Sequence, residues 1–261
     1  MTLSATRRAM RAMVAALALA ACSGLAMAGP EETIARVKPS VVLVGTLIKT
    51  RNPPFLFRGT GFVVGDGRTI ATNAHVVSPP LDAGQGEVLV IAIPGTQGKV
   101  EIREARPLAD DASRDLALLR TEGAPLPALK LSEREGREGQ TALFTGFPIG
   151  SVLGPIPSTH RAMIASMPPI ALPNVRAAQL TGAQIRRLAE GAFTIYQLDA
   201  TAYPGNSGSP LYDAETGEVL GIINMVFVKR SREAALTNPS GITYAIPAAH
   251  LRALMDSAPR Q

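Results

Sequence analysis

The chain has 261 residues, of which 46% are hydrophobic, so it can build one large domain or two small ones that share a core. Aromatic residues make up only 4% and tryptophan is absent, which predicts an aliphatic interior. The net charge of +5 includes Arg7, Arg8 and Arg11, and no later run of Lys or Arg is interleaved with aromatics, so nucleic-acid binding is not expected.

Residues 1–28 have the pattern of an export signal, with basic residues followed by an apolar run at 12–21 that is too short to span a bilayer permanently. Two cleavage signals compete within it. Residues 19–22, Leu-Ala-Ala-Cys, have the form of a bacterial lipobox, and a lipidated Cys22 would contact a membrane. Residues 26–28, Ala-Met-Ala, would instead release a soluble protein. The lipoprotein is the favoured form of the two. Because Cys22 is the only cysteine, no disulfide can form within the chain.

Short β-branched runs between turn residues dominate the rest of the chain, which favours an all-β fold. Residues 31–38 are predicted as a polar helix or linker, 51–58 as a proline-bearing loop, and 125–138 as an interdomain linker. Residues 179–190 have the pattern of a helical insertion, either a gating loop or a neutral surface elaboration. The predicted strands cover residues 41–48, 59–64, 69–77, 88–93, 100–105, 115–120, 140–145, 161–165, 193–199, 211–213, 219–228 and 242–246.

The loop at 203–211 places one serine in an unusual setting. Pro204 stiffens its entry, and Gly205 and Gly208 permit backbone angles that a side chain would forbid. Such a turn can direct the N–H groups of Gly205 and Ser207 toward one point, which is the arrangement of an oxyanion hole. A plain surface turn is the alternative interpretation.

A nucleophilic serine needs a base, and the base needs an acid that orients it. Of the three histidines, His75 lies where the second strand of the 59–77 hairpin ends, His160 in a loop rich in Pro, Ser and Thr, and His250 in a C-terminal helical segment. Asp115 opens the apolar strand at 115–120. His75, Asp115 and Ser207 are therefore candidates for one site.

The motifs around these residues resemble the chymotrypsin-like serine proteases, most closely the HtrA/Deg branch. Landmarks of that branch occur in order over roughly residues 40–250: Gly59-Thr60-Gly61-Phe62, Thr72-Asn73-Ala74-His75-Val76-Val77, Asp115-Leu116-Ala117-Leu118-Leu119, Gly146-Phe147-Pro148-Ile149-Gly150, Asp199-Ala200, Pro204-Gly205-Asn206-Ser207-Gly208, Gly221-Ile222-Ile223-Asn224 and Gly241-Ile242-Thr243-Tyr244-Ala245-Ile246-Pro247. Two departures are that Ser209 replaces a glycine of the HtrA pattern and that no PDZ module is expected after residue 246.

The resemblance implies an all-β fold of two six-stranded antiparallel β-barrels, at about 40–124 and 139–247, followed by a helix at 247–257. It makes residues 29–261 one protease domain. It also implies His75 as the base, Asp115 as its orienting acid and Ser207 as the nucleophile, acting without cofactor or metal on polypeptide substrates. The export signal places this activity in the bacterial envelope, in protein quality control or processing.

The residues predicted to form the specificity pocket are Thr201, Ala202, Asn224, Met225, Val226 and Gly241. No carboxylate lies six residues before Ser207, which argues against Lys or Arg specificity, and no histidine is expected near the pocket, which argues against Glu. A small or medium aliphatic P1 residue is therefore predicted, with Val226 narrowing the opening.

Two other functions are alternatives to peptide hydrolysis. An α/β-hydrolase esterase would pair Ser207 with His250, but its Gly-x-Ser-x-Gly elbow is broken by Ser209. A protease-like fold that binds or scaffolds polypeptide without cutting it is the stronger alternative, because an inactive loop arrangement leaves no trace in sequence. No metal or nucleotide motif is present in the sequence.

Overall fold

The structure is a computed structural model that describes residues 29–95, 99–150, 154–170, 193–224 and 242–259. Its helices are α1 (Pro30–Val37), α2 (Ala74–Val77) and α3 (Ala248–Ser257), with 3₁₀ turns at Lys38–Ser40 and Ala83–Gln85. Its strands are β1 (Val41–Leu47), β2 (Phe55–Val64), β3 (Thr69–Thr72), β4 (Val88–Pro94), β5 (Val100–Asp111), β6 (Leu116–Thr121), β7 (Thr141–Gly146), β8 (Ser158–Ser166), β9 (Pro169–Ile170), β10 (Phe193–Thr194), β11 (Tyr196–Asp199), β12 (Pro210–Asp213), β13 (Val219–Asn224) and β14 (Ile242–Pro247).

These strands form two closed antiparallel barrels of six strands each, as predicted. The first barrel has the order β1-β2-β3-β6-β5-β4 and the second β11-β14-β13-β12-β7-β8, while β9 and β10 pair separately. Aliphatic side chains such as Val42, Ile70 and Leu119 fill the first barrel. The few aromatics are concentrated inside: the largest fully buried side chains are Tyr196, Tyr212, Phe62, Phe144 and Phe147. The interior is therefore less purely aliphatic than the composition predicted.

The predicted linker at 125–138 holds the two barrels together by its backbone. Leu129 N–H donates to the carbonyl of Val63 on β2 at 2.9 Å, and Val219 N–H on β13 donates to the carbonyl of Lys130 at 2.8 Å. The segment thus fixes one strand of each barrel relative to the other. None of the helices within the described ranges is long and apolar enough to cross a membrane.

Several boundaries differ from the sequence predictions. Strand β2 begins at Phe55, inside the predicted loop at 51–58, because Pro53 and Pro54 precede the strand and leave its ladder intact. Strand β3 ends at Thr72, and His75 lies on the one-turn helix α2 rather than on a strand.

Two further predicted strands differ from the structure, one in its length and one in its continuity. Strand β5 reaches Asp111, with a register shift between Pro107 and Ala109 that absorbs the proline. The predicted strand at 193–199 is divided into β10 and β11. The export signal, the insertion at 179–190 and the end of the predicted strand 219–228 lie outside the described residues.

Candidate active site

Helix α2 and the residue before β6 bring His75 and Asp115 together. His75 Nδ1 lies 2.6 Å from Asp115 Oδ2, and the backbone N–H of His75 donates to Asp115 Oδ1 at 2.8 Å. The side-chain amide of Asn73 donates to the Asp115 carbonyl at 3.0 Å. Asp115 has a left-handed backbone, with φ of 56°, which turns its carboxylate back toward α2. A carboxylate bound to Nδ1 fixes the tautomer that leaves Nε2 free to accept a proton.

The second barrel also contributes to this pair. Asn224, the last residue of β13, donates from Nδ2 to Asp115 Oδ2 at 2.7 Å and is fully buried. The structure thus places Asn224 against the carboxylate, whereas the sequence interpretation put it in the specificity pocket. Its place in the landmark Gly221-Ile222-Ile223-Asn224, at the end of an apolar run, marked the residue without indicating this contact.

Ser207 lies at the junction of the two barrels beside α2. Its carbonyl accepts from Thr60 N–H on β2 at 2.9 Å. A Cβ placed on Gly59 would lie 2.8 Å from the Val76 side chain and 3.1 Å from the Ser207 carbonyl. Gly59 therefore packs between Ser207 and Val76, the residue that follows His75. Among the hydrogen bonds of the described residues, none joins the Ser207 hydroxyl to His75. Such bonds are often long in the absence of substrate and shorten when it binds.

The turn before Ser207 leaves two backbone donors available. Gly205 has φ of 102°, and a Cβ there would overlap the carbonyl oxygen of Phe147 and lie 2.9 Å from the Phe57 ring, so only glycine fits. Within the described part of the chain, neither Gly205 N–H nor Ser207 N–H donates a hydrogen bond. Both are the donors that the sequence predicted for an oxyanion hole.

The carbonyl groups on either side of Gly205 are both held by hydrogen bonds. Ile149 N–H donates to the Pro204 carbonyl at 2.6 Å. The Thr60 hydroxyl donates to the Gly205 carbonyl at 2.7 Å and accepts from Phe147 N–H at 3.1 Å. Sequence reasoning gave neither Thr60 nor Ile149 a role of its own, since nothing in a Thr between glycines or an Ile after a proline signals such a contact.

Ser209, where the HtrA pattern has glycine, is accommodated by Gly146. Ser209 is fully buried, and a Cβ on Gly146 would overlap its hydroxyl oxygen. Asn206 is also fully buried behind the serine, and its N–H donates to the Tyr203 carbonyl at 3.0 Å. Serine at position 209 is therefore compatible with the hydrogen-bonded turn at 203–206.

The predicted pocket residues Thr201 and Ala202 are half-buried, and Ala202 N–H donates to Thr243 Oγ1 of β14 at 3.0 Å. This bond fixes the segment that follows β11 against β14 of the second barrel. The predicted pocket residues Met225, Val226 and Gly241, and the lipidation candidate Cys22, lie outside the described residues.

His160 is placed differently from its prediction. It lies on β8 rather than in a loop, its ring stacks on Phe144 at 4.8 Å, and it lies 6.2 Å from the ring of Tyr203, four residues before Ser207. His160 thus lies beside the turn before Ser207, and the expectation that no histidine lies near the specificity pocket stays a prediction. Burial lowers the pKa of His160, so the ring is uncharged at neutral pH.

His250 is half-buried on α3, where its ring contacts Phe193 at 5.2 Å edge to face. Burial, and to a lesser extent the positive charge of Arg114, lower the pKa of His250.

Taken together, the arrangement suits acyl transfer. It offers an oriented imidazole, a hydroxyl on a neighbouring turn and two backbone donors for a developing oxyanion. Within the described ranges, no group of three or more His, Cys, Asp or Glu side chains is arranged to hold a metal ion.

Comparison with known proteins finds a matching family model and similar proteins. The model of the trypsin-like peptidase domain matches residues 59–222. A probable periplasmic serine endoprotease, DegP-like, of Hahella chejuensis is 31% identical over 192 residues, which is 72% of this chain and 33% of that protein. The protein of the same description from Halomonas elongata is 29% identical over 191 residues, or 72% of this chain and 32% of its own length. The chain thus spans about a third of the length of these relatives.

Two solved structures have a similar fold. The Rv3671c protease of M. tuberculosis in its active form has a TM-score of 0.62 at 21% identity, over 87% of this chain and 85% of that one. The serine endoprotease of Yersinia pestis has a TM-score of 0.60 at 26% identity, over 88% of this chain and 66% of that one.

Proposed function

The chain belongs to the trypsin-like peptidase family, and from this premise we propose that it is a serine endopeptidase with His75 as base, Asp115 as orienting acid and Ser207 as nucleophile. The observation that carries the proposal is the 2.6 Å contact between His75 Nδ1 and Asp115 Oδ2. The hydrogen bond from Thr60 to the Ser207 carbonyl supports it, because it fixes the serine turn to the barrel that carries the other two groups.

In the acylation step, Ser207 Oγ attacks the scissile carbonyl while His75 Nε2 takes its proton. The Asp115 carboxylate stabilises the resulting imidazolium through Nδ1, and Asn224 holds that carboxylate in place. The charge that develops on the carbonyl oxygen is stabilised by the N–H groups of Gly205 and Ser207, at about 10²–10³ in rate for each donor.

Collapse of the tetrahedral intermediate releases the amine, which receives its proton from His75. The peptide then remains bound to Ser207 as an ester. Water, deprotonated by the same imidazole, attacks the ester and regenerates the free serine. Each step uses the same three side chains, so loss of any one of them affects both halves of the reaction.

The proposed substrates are polypeptides with a small or medium aliphatic P1 residue. Thr201 occupies the position six residues before Ser207, so no carboxylate is available there for a basic side chain. His160 lies 6.2 Å from the ring of Tyr203, but burial lowers its pKa and leaves the ring uncharged. It therefore offers no positive charge to a glutamate side chain at P1. Peptides that differ only at P1 test the preference, and a tenfold advantage of Arg or Glu over Val would contradict it.

The proposed location is the bacterial envelope, after export directed by residues 1–28, with a role in protein quality control or processing. The relatives named as probable periplasmic endoproteases support this location. Mass analysis of the mature protein distinguishes a lipid-anchored form that begins at Cys22 from a soluble form that begins at Gly29.

Labelling with a fluorophosphonate probe tests the enzymatic function. We expect modification at Ser207, no modification in Ser207→Ala, and unchanged modification in Ser257→Ala, a control serine on α3. Turnover of a protein substrate should fall by about 10⁴–10⁶ in Ser207→Ala. A folded wild-type protein that takes no label and cleaves no substrate would instead favour the second candidate, a non-catalytic protein that binds or scaffolds polypeptide.

A further inference from the structure

Three consecutive residues of β2 border the proposed active site. The N–H of Thr60 donates to the Ser207 carbonyl at 2.9 Å, and Gly59 packs between Ser207 and Val76 of α2. The third residue is Arg58, to which neither the sequence interpretation nor the proposed mechanism assigns a role. Because β2 contacts both the nucleophile turn and the helix of the proposed base at this point, Arg58 is placed to affect the spacing between those two elements.

The side chain of Arg58 binds the segment that follows α2. It is 14% exposed, and its Nη1 donates at 3.2 Å to the carbonyl of Pro79, two residues beyond the end of the helix. A helix of four residues has too few internal hydrogen bonds to be stable by itself, so its position depends on contacts at its ends. The start of α2 is held by Ala74 N–H, which donates to the Asp115 carbonyl at 3.2 Å. Arg58 supplies the corresponding contact beyond its end.

The carboxylate of Glu87 holds Arg58 in this position. The Glu87 side chain is 7% exposed, and its Oε1 lies 3.6 Å from Arg58 Nη2 and 3.4 Å from Arg51 Nη1. The Thr46 hydroxyl on β1 donates to the same oxygen, and Asp82 N–H donates to Oε2 at 2.9 Å. The hydrogen bond from Thr46, followed by that from Asp82, lowers the pKa of Glu87, so the carboxylate is ionised at neutral pH. One buried charge thus joins β1, β2 and the segment after α2.

We propose that Arg58 is a positioning residue that fixes the exit of α2 on β2 and so keeps His75 directed at Ser207. Glu87 acts through Arg58 by holding the guanidinium in place. Loss of the guanidinium releases the Pro79 carbonyl, and α2 can then tilt away from β2. Such a tilt lengthens the path of the proton from Ser207 Oγ to His75 Nε2, and a displacement of about 1 Å can cost about 10²-fold in rate. The inference rests on the proposed peptidase function, because this spacing matters only if His75 takes the proton of Ser207.

Arg103 provides a matched control for the test. Its side chain is also 14% exposed. Like Arg58, it binds one carboxylate, that of Glu101 at 2.6 Å, and one backbone carbonyl, that of Ala124 at 2.7 Å. Arg103 lies on β5, and its partners belong to β5 itself and to the segment that follows β6. Arg58→Gln and Arg103→Gln therefore remove comparable contacts, but only Arg58→Gln loses a contact to the segment after α2.

The experiment measures kcat, KM, the rate of fluorophosphonate labelling at Ser207 and the melting temperature of each variant. We expect Arg58→Gln to lower kcat and the labelling rate by about 10–100-fold, with KM changed by less than about twofold because the substrate-binding groups of the second barrel are untouched. Glu87→Gln should lower both rates by about tenfold. Arg58→Lys, which keeps the charge and one donor, should recover part of the loss. Arg103→Gln should lose stability but keep the wild-type kcat and labelling rate.

The double variant Arg58→Gln/Glu87→Gln should be no slower than Arg58→Gln, because Glu87 acts through Arg58. Additive losses would overturn that link. Equal kcat and labelling rates in folded Arg58→Gln and Arg103→Gln would leave Arg58 only a structural role and overturn the inference. If Arg58→Gln does not fold, wild-type rates in Glu87→Gln overturn it instead. A labelled wild type with unaffected variants refutes the positioning role alone, whereas a wild type without label refutes the proposed function itself.

Discussion

Substitution of Gly205 by alanine gives a direct test of the oxyanion donors. Gly205 has φ of 102°, and the added methyl would overlap the Phe147 carbonyl and approach the Phe57 ring to 2.9 Å. The backbone at Pro204 to Asn206 must therefore shift to accommodate it. Because Gly205 N–H is one of the two uncommitted donors, this shift should displace it from the reacting carbonyl.

The expected effect separates into two contributions. A left-handed alanine costs about 1–2 kcal/mol of stability. Loss of one oxyanion donor costs about 10²–10³ in kcat, which corresponds to about 2.7–4 kcal/mol of transition-state stabilisation. Gly139→Ala is a matched control, since Gly139 has φ of 80° and nothing lies within 4 Å of an added Cβ. Gly139→Ala should therefore lose stability through its left-handed backbone, but the added methyl group displaces no oxyanion donor.

The assay measures kcat on a peptide substrate and the melting temperature of both variants. Each should lose stability, by about 2–4 °C per kcal/mol for a chain of this size. Only Gly205→Ala should lose activity, by at least about 100-fold. The reasoning would be refuted if Gly205→Ala kept more than a tenth of the wild-type kcat, because the Gly205 N–H would then not be used in catalysis.

Two further substitutions test neighbouring contacts. Thr60→Val removes the hydroxyl between Phe147 N–H and the Gly205 carbonyl, so we expect a loss of about 2–4 kcal/mol by urea denaturation and a fall in kcat of about 10–100-fold; an unchanged kcat would contradict this anchoring. His160→Phe should reduce the loss of stability on acidification. Burial lowers the pKa of His160 from 6.5, so below about pH 6.5 the imidazole is protonated in the unfolded chain but stays neutral in the native protein, which favours unfolding. Unfolding free energies at pH 7.5 and 5.5 check the second prediction, and an identical pH dependence in both proteins would rule it out.

The strands were predictable from sequence because β-branched runs and turn residues encode strands locally, and the resemblance to chymotrypsin-like proteases implied their closure into two barrels. The errors lie where the environment of a segment decides its conformation. Pro53 and Pro54 indicated a loop, yet β2 starts at the next residue, since proline is tolerated just before a strand. The Pro, Ser and Thr residues around His160 also indicated a loop, but pairing of β8 with β7 outweighs that local composition.

The three triad candidates were identified from their motifs, whereas the groups that support them were not. Asn224 contacts Asp115 only because β13 of the second barrel ends beside a loop of the first. The left-handed backbone of Ile149 runs against the preference of its own side chain, so no local rule could assign it. Both features arise from packing between segments that are distant in the chain, and the sequence of one segment alone does not predict that packing.

The contacts between the barrels determine when activity can appear during biosynthesis. Asn224 reaches across to Asp115, and Thr60 holds both Ser207 and Gly205. A nascent chain with only its first barrel would carry His75 and Asp115 but neither the hydroxyl nor the amide donors. The proposed proteolytic centre therefore forms only after the second barrel has folded and docked, and a chain exported in the unfolded state, as proposed, would reach its destination before it could cleave its neighbours.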